Sequence, residues 1–212
     1  MKKQILAVCV ITCGASAFAQ GTIVFGNNTP NSIVAPIYGP EPGNASEAIT
    51  GMDPHSYPAG ATYYGGPALT AADQVTVQLW GGPNASSLTP VPNAEATIVA
   101  QGLFATASAP VAVPGVPGGG TAQLQLRAWQ NRGGTITTWA AAIAASVDLG
   151  ESPVFMSQPL GGGITPAPNL VGLLAFNIHT PIPEPSTSAL AALGAALLLI
   201  FHHRRSKTAQ RR

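Results

Sequence analysis

Only 8% of the 212 residues are Asp, Glu, Lys or Arg, against about 25% in an average globular protein. The 24 glycines and 20 prolines argue against long helices, and the 46% apolar content argues against a simple disordered polymer. The net charge of +1 is unevenly spread: between Gln20 and Pro181 seven acids meet only two bases, Arg127 and Arg132, which excludes the basic face that nucleic acid requires.

Residues 1–19 have the three parts of a secretory signal. Lys2 and Lys3 form a charged start, Ile5 to Cys13 an apolar run, and Ala17-Phe18-Ala19 the small–x–small pattern read by signal peptidase. Cleavage is expected after Ala19, leaving Gln20 first. A helix over the nine-residue run would rise only ~14 Å, too short for the ~30 Å hydrocarbon layer. Both cysteines, Cys9 and Cys13, lie in this segment, so the mature domain is expected to hold together by burial alone, without disulfides.

From Gln20 to Thr180 the pattern predicts one mainly β ectodomain. Residues 27–70 hold seven prolines and are expected to be mostly loop, draped over the domain with at most one edge strand. Strands are predicted over Thr22 to Phe25, Val75 to Trp80, Ala96 to Ala100, Gln123 to Trp129, Thr135 to Trp139 and Val171 to Ile178, with a weaker one over Val154 to Ser157. Pro110 to Gly120 and Gly161 to Pro168 read as proline–glycine bridges. The alanine-rich run Trp139 to Val147 fits either a short helix or a strand pair. About seven short strands joined by such loops suggest an antiparallel β-sandwich, immunoglobulin-like or jelly-roll. The two clearest strands alternate: Val75, Val77, Leu79, Leu124 and Leu126 on the core side, amides on the other.

Residues 181–212 form the last segment. Pro183-Glu184-Pro185 precedes sixteen uncharged residues, 186–201, and then the basic tail 202–212 with Arg204, Arg205, Lys207, Arg211 and Arg212. The apolar run would make a transmembrane helix of ~24 Å, with flanking arginines reaching the interface. The basic tail marks the cytoplasmic side.

This order of tripeptide, single apolar helix and arginine-rich tail resembles the PEP-CTERM sorting signal of Gram-negative bacteria. The resemblance implies that Pro183, Glu184 and Pro185 are the recognition element for exosortase, a membrane-embedded cysteine peptidase-like enzyme. It implies an inner-membrane intermediate, cut near the motif and passed to the cell surface or the extracellular matrix. More loosely, the order of Leu79-Trp80-Gly81-Gly82-Pro83, a glycine-rich bridge and Leu124-Gln125-Leu126-Arg127-Ala128-Trp129 resembles other small cargo proteins of that family, whose function is largely undefined.

The chemistry-bearing residues are sparse. His55 and His179 have no partner at ligand spacing, so no metal or other cofactor is expected. No G-x-S-x-G elbow and no phosphate loop occur. Asp53-Pro54-His55-Ser56-Tyr57 is the one dense polar cluster, readable as a sugar or cation contact or as an exposed turn. Asn27, Asn44 and Asn84 read as turn asparagines. Gln123, Gln125, Arg127 and Trp129 share one strand face, which suits a strip contacting extracellular polysaccharide; the alternative is a tryptophan closing one end of the core. The function expected first is therefore a non-catalytic surface or matrix protein. A carbohydrate-binding module is the alternative, and a secreted hydrolase the least supported.

Overall fold

The computed structural model describes residues 20–182. The expected signal segment and the expected transmembrane helix lie outside the described residues. The described chain is mainly β: β1 (Gln20–Ile23), β2 (Asn28–Thr29), β3 (Ile33–Val34), β4 (Ile37–Tyr38), β5 (Val75–Gly82), β6 (Thr89–Ala100), β7 (Leu103–Phe104), β8 (Val111–Pro117), β9 (Gln123–Gln130), β10 (Leu149–Glu151), β11 (Phe155–Met156) and β12 (Phe176–Asn177). One six-residue helix, α1 (Trp139–Ala144), lies between β9 and β10.

The main sheet has the order β10-β9-β5-β6-β7, with β11 also paired to β9, and every pairing is antiparallel. At its centre β5 and β9 pair without a break from Val75↔Gln130 to Gly82↔Gln123. Side chains alternate across a strand, so Val75, Val77, Leu79, Leu124, Leu126 and Ala128 share one face. All six are at most 1% exposed, as their spacing predicted. Three extra residues of β6 bulge between the pairs Gln78↔Glu95 and Trp80↔Pro90, and Asn93 takes a φ of 60° there. Asparagine tolerates that left-handed conformation better than a branched residue would. The bulge keeps both Val91 and Ala94 buried.

Across this core runs β8, paired antiparallel to β1 through Thr22↔Ala112 and Ile23↔Val111. Residues 110–120, expected as a proline–glycine bridge, are thus largely a strand. Its prolines, Pro114 and Pro117, are tolerated because β8 has a ladder partner on one side only, and Gly115 takes a φ of +71° that suits glycine. Val111, Val113 and Val116 are buried. A side chain at Gly81 would bring its Cβ to 3.0 Å from Val113 and 2.9 Å from Leu124, so glycine lets β8 press on β5.

Two further expectations are corrected. Thr135 to Trp139 is not a strand. Arg132, Gly133 and Gly134 all have positive φ, and Asn131 Oδ1 accepts from the Gly134 N–H at 3.1 Å, so the chain turns back. Thr138 then caps α1, its Oγ1 accepting from the Ala141 N–H at 3.1 Å. Of the run Val171 to Ile178 only β12 is strand, lying parallel to β4 through Ile37↔Phe176 and Asn177↔Tyr38.

Residues 27–70 are mostly loop, but they carry three short strands and supply Ile33, Ala35, Ile37 and Met52 to the core. Buried asparagines make this possible by bonding backbone groups that no ladder serves. Asn27 is fully buried rather than a surface turn residue. Its Nδ2 donates to the carbonyls of Ala35 at 2.9 Å and Gly102 at 3.0 Å, and its Oδ1 accepts from the Phe104 N–H at 3.1 Å. Asn177 does the same for Glu47 and Ile49. Asn27→Ala leaves the Ala35 carbonyl and the Phe104 N–H without this partner, while the Gly102 carbonyl keeps the Ile37 N–H at 2.9 Å; each group left dry costs ~1–3 kcal/mol. We expect a net loss of about 2–3 kcal/mol in a urea melt, after local adjustment. A loss below ~0.5 kcal/mol, the range of ordinary surface changes, would contradict the role of Asn27 as an internal tie.

Candidate functional site

The outer face of the main sheet carries the residues expected to contact sugar. Parity places Thr76, Gln78 and Trp80 on the same face as Gln123, Gln125, Arg127 and Trp129. The face is not an open strip. Trp129 is fully buried under α1 and the segment around it, packed with Ile136, Ala142 and Val147, and its Nε1 donates to the Ile136 carbonyl at 3.0 Å. Gln125 is buried as well. Its Nε2 donates to the Ser152 carbonyl at 3.1 Å, and its Oε1 accepts from Arg127 Nε at 3.0 Å. Gln123 and Arg127 remain half-buried. The strip is therefore broken where the helix covers it, and Trp129 closes a small second core.

What stays near the surface is an interlocked row. The Arg127 guanidinium lies 4.0 Å from the ring centre of Trp80 and 5.2 Å from that of Trp139. Trp80 Nε1 donates to Gln78 Oε1 at 3.1 Å, and Gln78 Nε2 donates to Glu95 Oε2 at 3.2 Å. Arg127 Nε lies 3.3 Å from Glu151 Oε2. Burial lowers the hold of Arg127 on its proton, and Glu151 partly offsets that. Such cation–ring contacts are worth ~0.5–1 kcal/mol at exposed sites and more when desolvated. The facing sides of both indoles are engaged by this internal cation.

The second polar feature is the cluster at Asp53, which the sequence singled out. It opens into a cleft of about 220 Å³ lined by Tyr38, Asp53, His55, Thr62, Tyr63 and Tyr64. Asp53 is 7% exposed. Its Oδ1 accepts from the His55 N–H at 2.8 Å and from Ser56 Oγ at 2.6 Å; its Oδ2 accepts from the Tyr38 hydroxyl. The first of these bonds is an Asx turn, which explains why the local sequence folds this way. Burial works against ionisation of Asp53, but the bonds from Ser56, Tyr38 and the His55 and Ser56 backbone outweigh it. The carboxyl therefore titrates below its ordinary value.

Tyr38 sits on β4 and stacks on Tyr64, with ring centres 4.0 Å apart and planes 9° from parallel. Burial, and next to it the Asp53 carboxylate, push both hydroxyls well above the ordinary tyrosine range, so both stay protonated. Tyr64 Oη lies 2.6 Å from the Gly51 carbonyl and 2.8 Å from that of Ala175. Tyr63 is 79% exposed at the rim. Sequence reasoning found Asp53 and His55 but missed the three tyrosines; the Tyr63-Tyr64 doublet beside a Gly-Gly-Pro turn was the available signal.

The remaining sites fall elsewhere. Pro183, Glu184 and Pro185 lie outside the described residues, as do Ala17 and Ala19. Gln20 is the exposed first residue of β1, paired with Pro117. Among the described residues, no three His, Cys, Asp or Glu side chains gather as metal ligands would. The buried His179 Nδ1 has no hydrogen-bond partner among the described residues. Burial lowers its proton affinity against the pull of Asp148 and Glu151, which favours the neutral ring. Comparison of the chain with models of known families, with curated proteins and with solved structures finds no match.

Proposed function

We propose that this chain is an exported, non-catalytic protein of the cell surface or extracellular matrix, sorted through a PEP-CTERM signal recognised by exosortase. The observation that carries the reading is the order Pro183-Glu184-Pro185, uncharged run 186–201 and arginine-rich tail. The position of the tripeptide agrees with it. Thr180 is still tied to the ectodomain, its N–H donating to the Ala45 carbonyl at 2.7 Å and its Oγ1 to Asp148 Oδ1 at 2.7 Å. The motif follows after two residues, and its prolines favour an extended backbone that an enzyme can grip. We assign the ectodomain, residues 20–180, to the antiparallel β-sandwich class, with the main sheet on one side of the core and the β1–β8 pair on the other. Before processing, residues 186–201 hold the chain in the inner membrane with its tail in the cytoplasm.

Export is tested at the other end of the chain. Protein recovered from the envelope of the producing cell is expected to begin at Gln20, the first residue of β1. N-terminal sequencing that returns intact Met1 would remove the export reading and, with it, the route to exosortase.

A further inference from the structure

The cleft at Asp53 has features that narrow the chemistry of a ligand. Its one acidic lining residue is ionised, and among the described residues no lysine or arginine lines it, which disfavours phosphate, sulfate and carboxylate. Tyr38 and Tyr64 lie face to face, which spends one face of each ring on the other. A cage gripping an organic cation on several aromatic faces is therefore not formed. Buried polar groups disfavour a purely apolar occupant, which would leave them dry.

An uncharged sugar ring fits what remains. A carboxylate offers about four acceptor sites. Asp53 Oδ1 accepts from the His55 N–H and Ser56 Oγ, and Oδ2 from the Tyr38 hydroxyl; the Ser56 N–H also supports the carboxylate, so the acceptor for a ligand hydroxyl is Oδ2, shared with Tyr38. That acceptor is already held in place by its protein partners, so binding does not have to order it. Tyr63, at the rim and 79% exposed, offers a rigid ring to the C–H face of a pyranose. The volume of about 220 Å³ is below the ~300–1,000 Å³ of sites for drug-sized ligands, which suits one sugar unit at a chain end or branch.

We propose that the cleft is a binding subsite for a single uncharged pyranose unit of a polysaccharide, with Asp53 accepting from a ring hydroxyl and Tyr63 packing on the ring. This goes beyond the sorting reading and stands whether or not exosortase acts on the chain. It also moves the sugar-contact expectation from the Trp129 face to the Asp53 cleft.

The test is saturation-transfer NMR on the full chain in detergent, with the methyl glycosides of glucose, galactose, mannose and N-acetylglucosamine. Methyl glucuronide and tetramethylammonium serve as charged probes. At least one neutral glycoside is expected to receive saturation at its ring C–H protons. Tyr63→Ala is expected to weaken that binding about tenfold or more, and Tyr63→Phe to preserve it. Tyr63 is exposed, so neither variant threatens the fold. The proposal is overturned if no neutral glycoside receives saturation, if Tyr63→Ala binds as the parent does, or if either charged probe binds in preference.

Discussion

Trp129→Ala is expected to destabilise the ectodomain by about 3–5 kcal/mol, the range for deleting a large buried aromatic. The indole is fully buried, meets Trp139 edge-on with ring centres 6.2 Å apart, and donates to the Ile136 carbonyl. Its removal opens a cavity beneath α1, leaves that carbonyl without its donor and frees the helix from the sheet. A domain of ordinary stability, ~5–15 kcal/mol, would lose a large part of its margin. Trp80→Ala gives the contrast. Trp80 is half-buried on the same face and chiefly loses its contact with Arg127, so less than half of that cost is expected. Urea melts followed by far-ultraviolet circular dichroism measure both. Equal losses would mean that α1 does not cover Trp129 in solution.

The parts of the fold legible in the sequence were those with strict alternation and one buried face. β5 and β9 met that condition, and Leu79, Leu124 and Leu126 lie fully buried in one core as their spacing required. β8 did not, because Pro114, Gly115 and Pro117 read as loop chemistry. Only the one-sided pairing with β1 makes those residues compatible with a strand. Thr135 to Trp139 failed in the opposite sense. β-branched residues favour strands, but the positive φ at Arg132, Gly133 and Gly134 turns the chain first, and Thr138 is needed as a helix cap. Asn27 was unreadable for another reason. Its three partners lie 8, 75 and 77 residues away, and no local pattern announces a tie of that span.

The outer face shows a similar division. Parity correctly grouped Gln123, Gln125, Arg127 and Trp129, but parity says nothing about what covers a face. A six-residue alanine-rich helix, ambiguous in the sequence, decides that Trp129 is core. At Asp53 a turn was legible because it is local, but it was expected to be exposed, and Asp53 and Ser56 are buried. Tyr38 and Tyr64 reach it only through the chain path of residues 38–64, which no periodicity predicts.

The second large effect concerns sorting. Replacing Pro183, Glu184 and Pro185 together by alanine removes the acidic side chain and both prolines of the proposed recognition element. The ectodomain, whose last described tie, at Thr180, precedes the motif, is expected to melt as the parent does. Processing is expected to stop, leaving the chain in the inner membrane. The most direct measurement is the intact mass of the protein from cells with and without exosortase. The proposed route predicts a chain that begins at Gln20 and is shortened near the tripeptide when the enzyme is present, and one running from Gln20 to Arg212 when it is absent or when the tripeptide is alanine. A mass matching Gln20–Arg212 under every condition would contradict it.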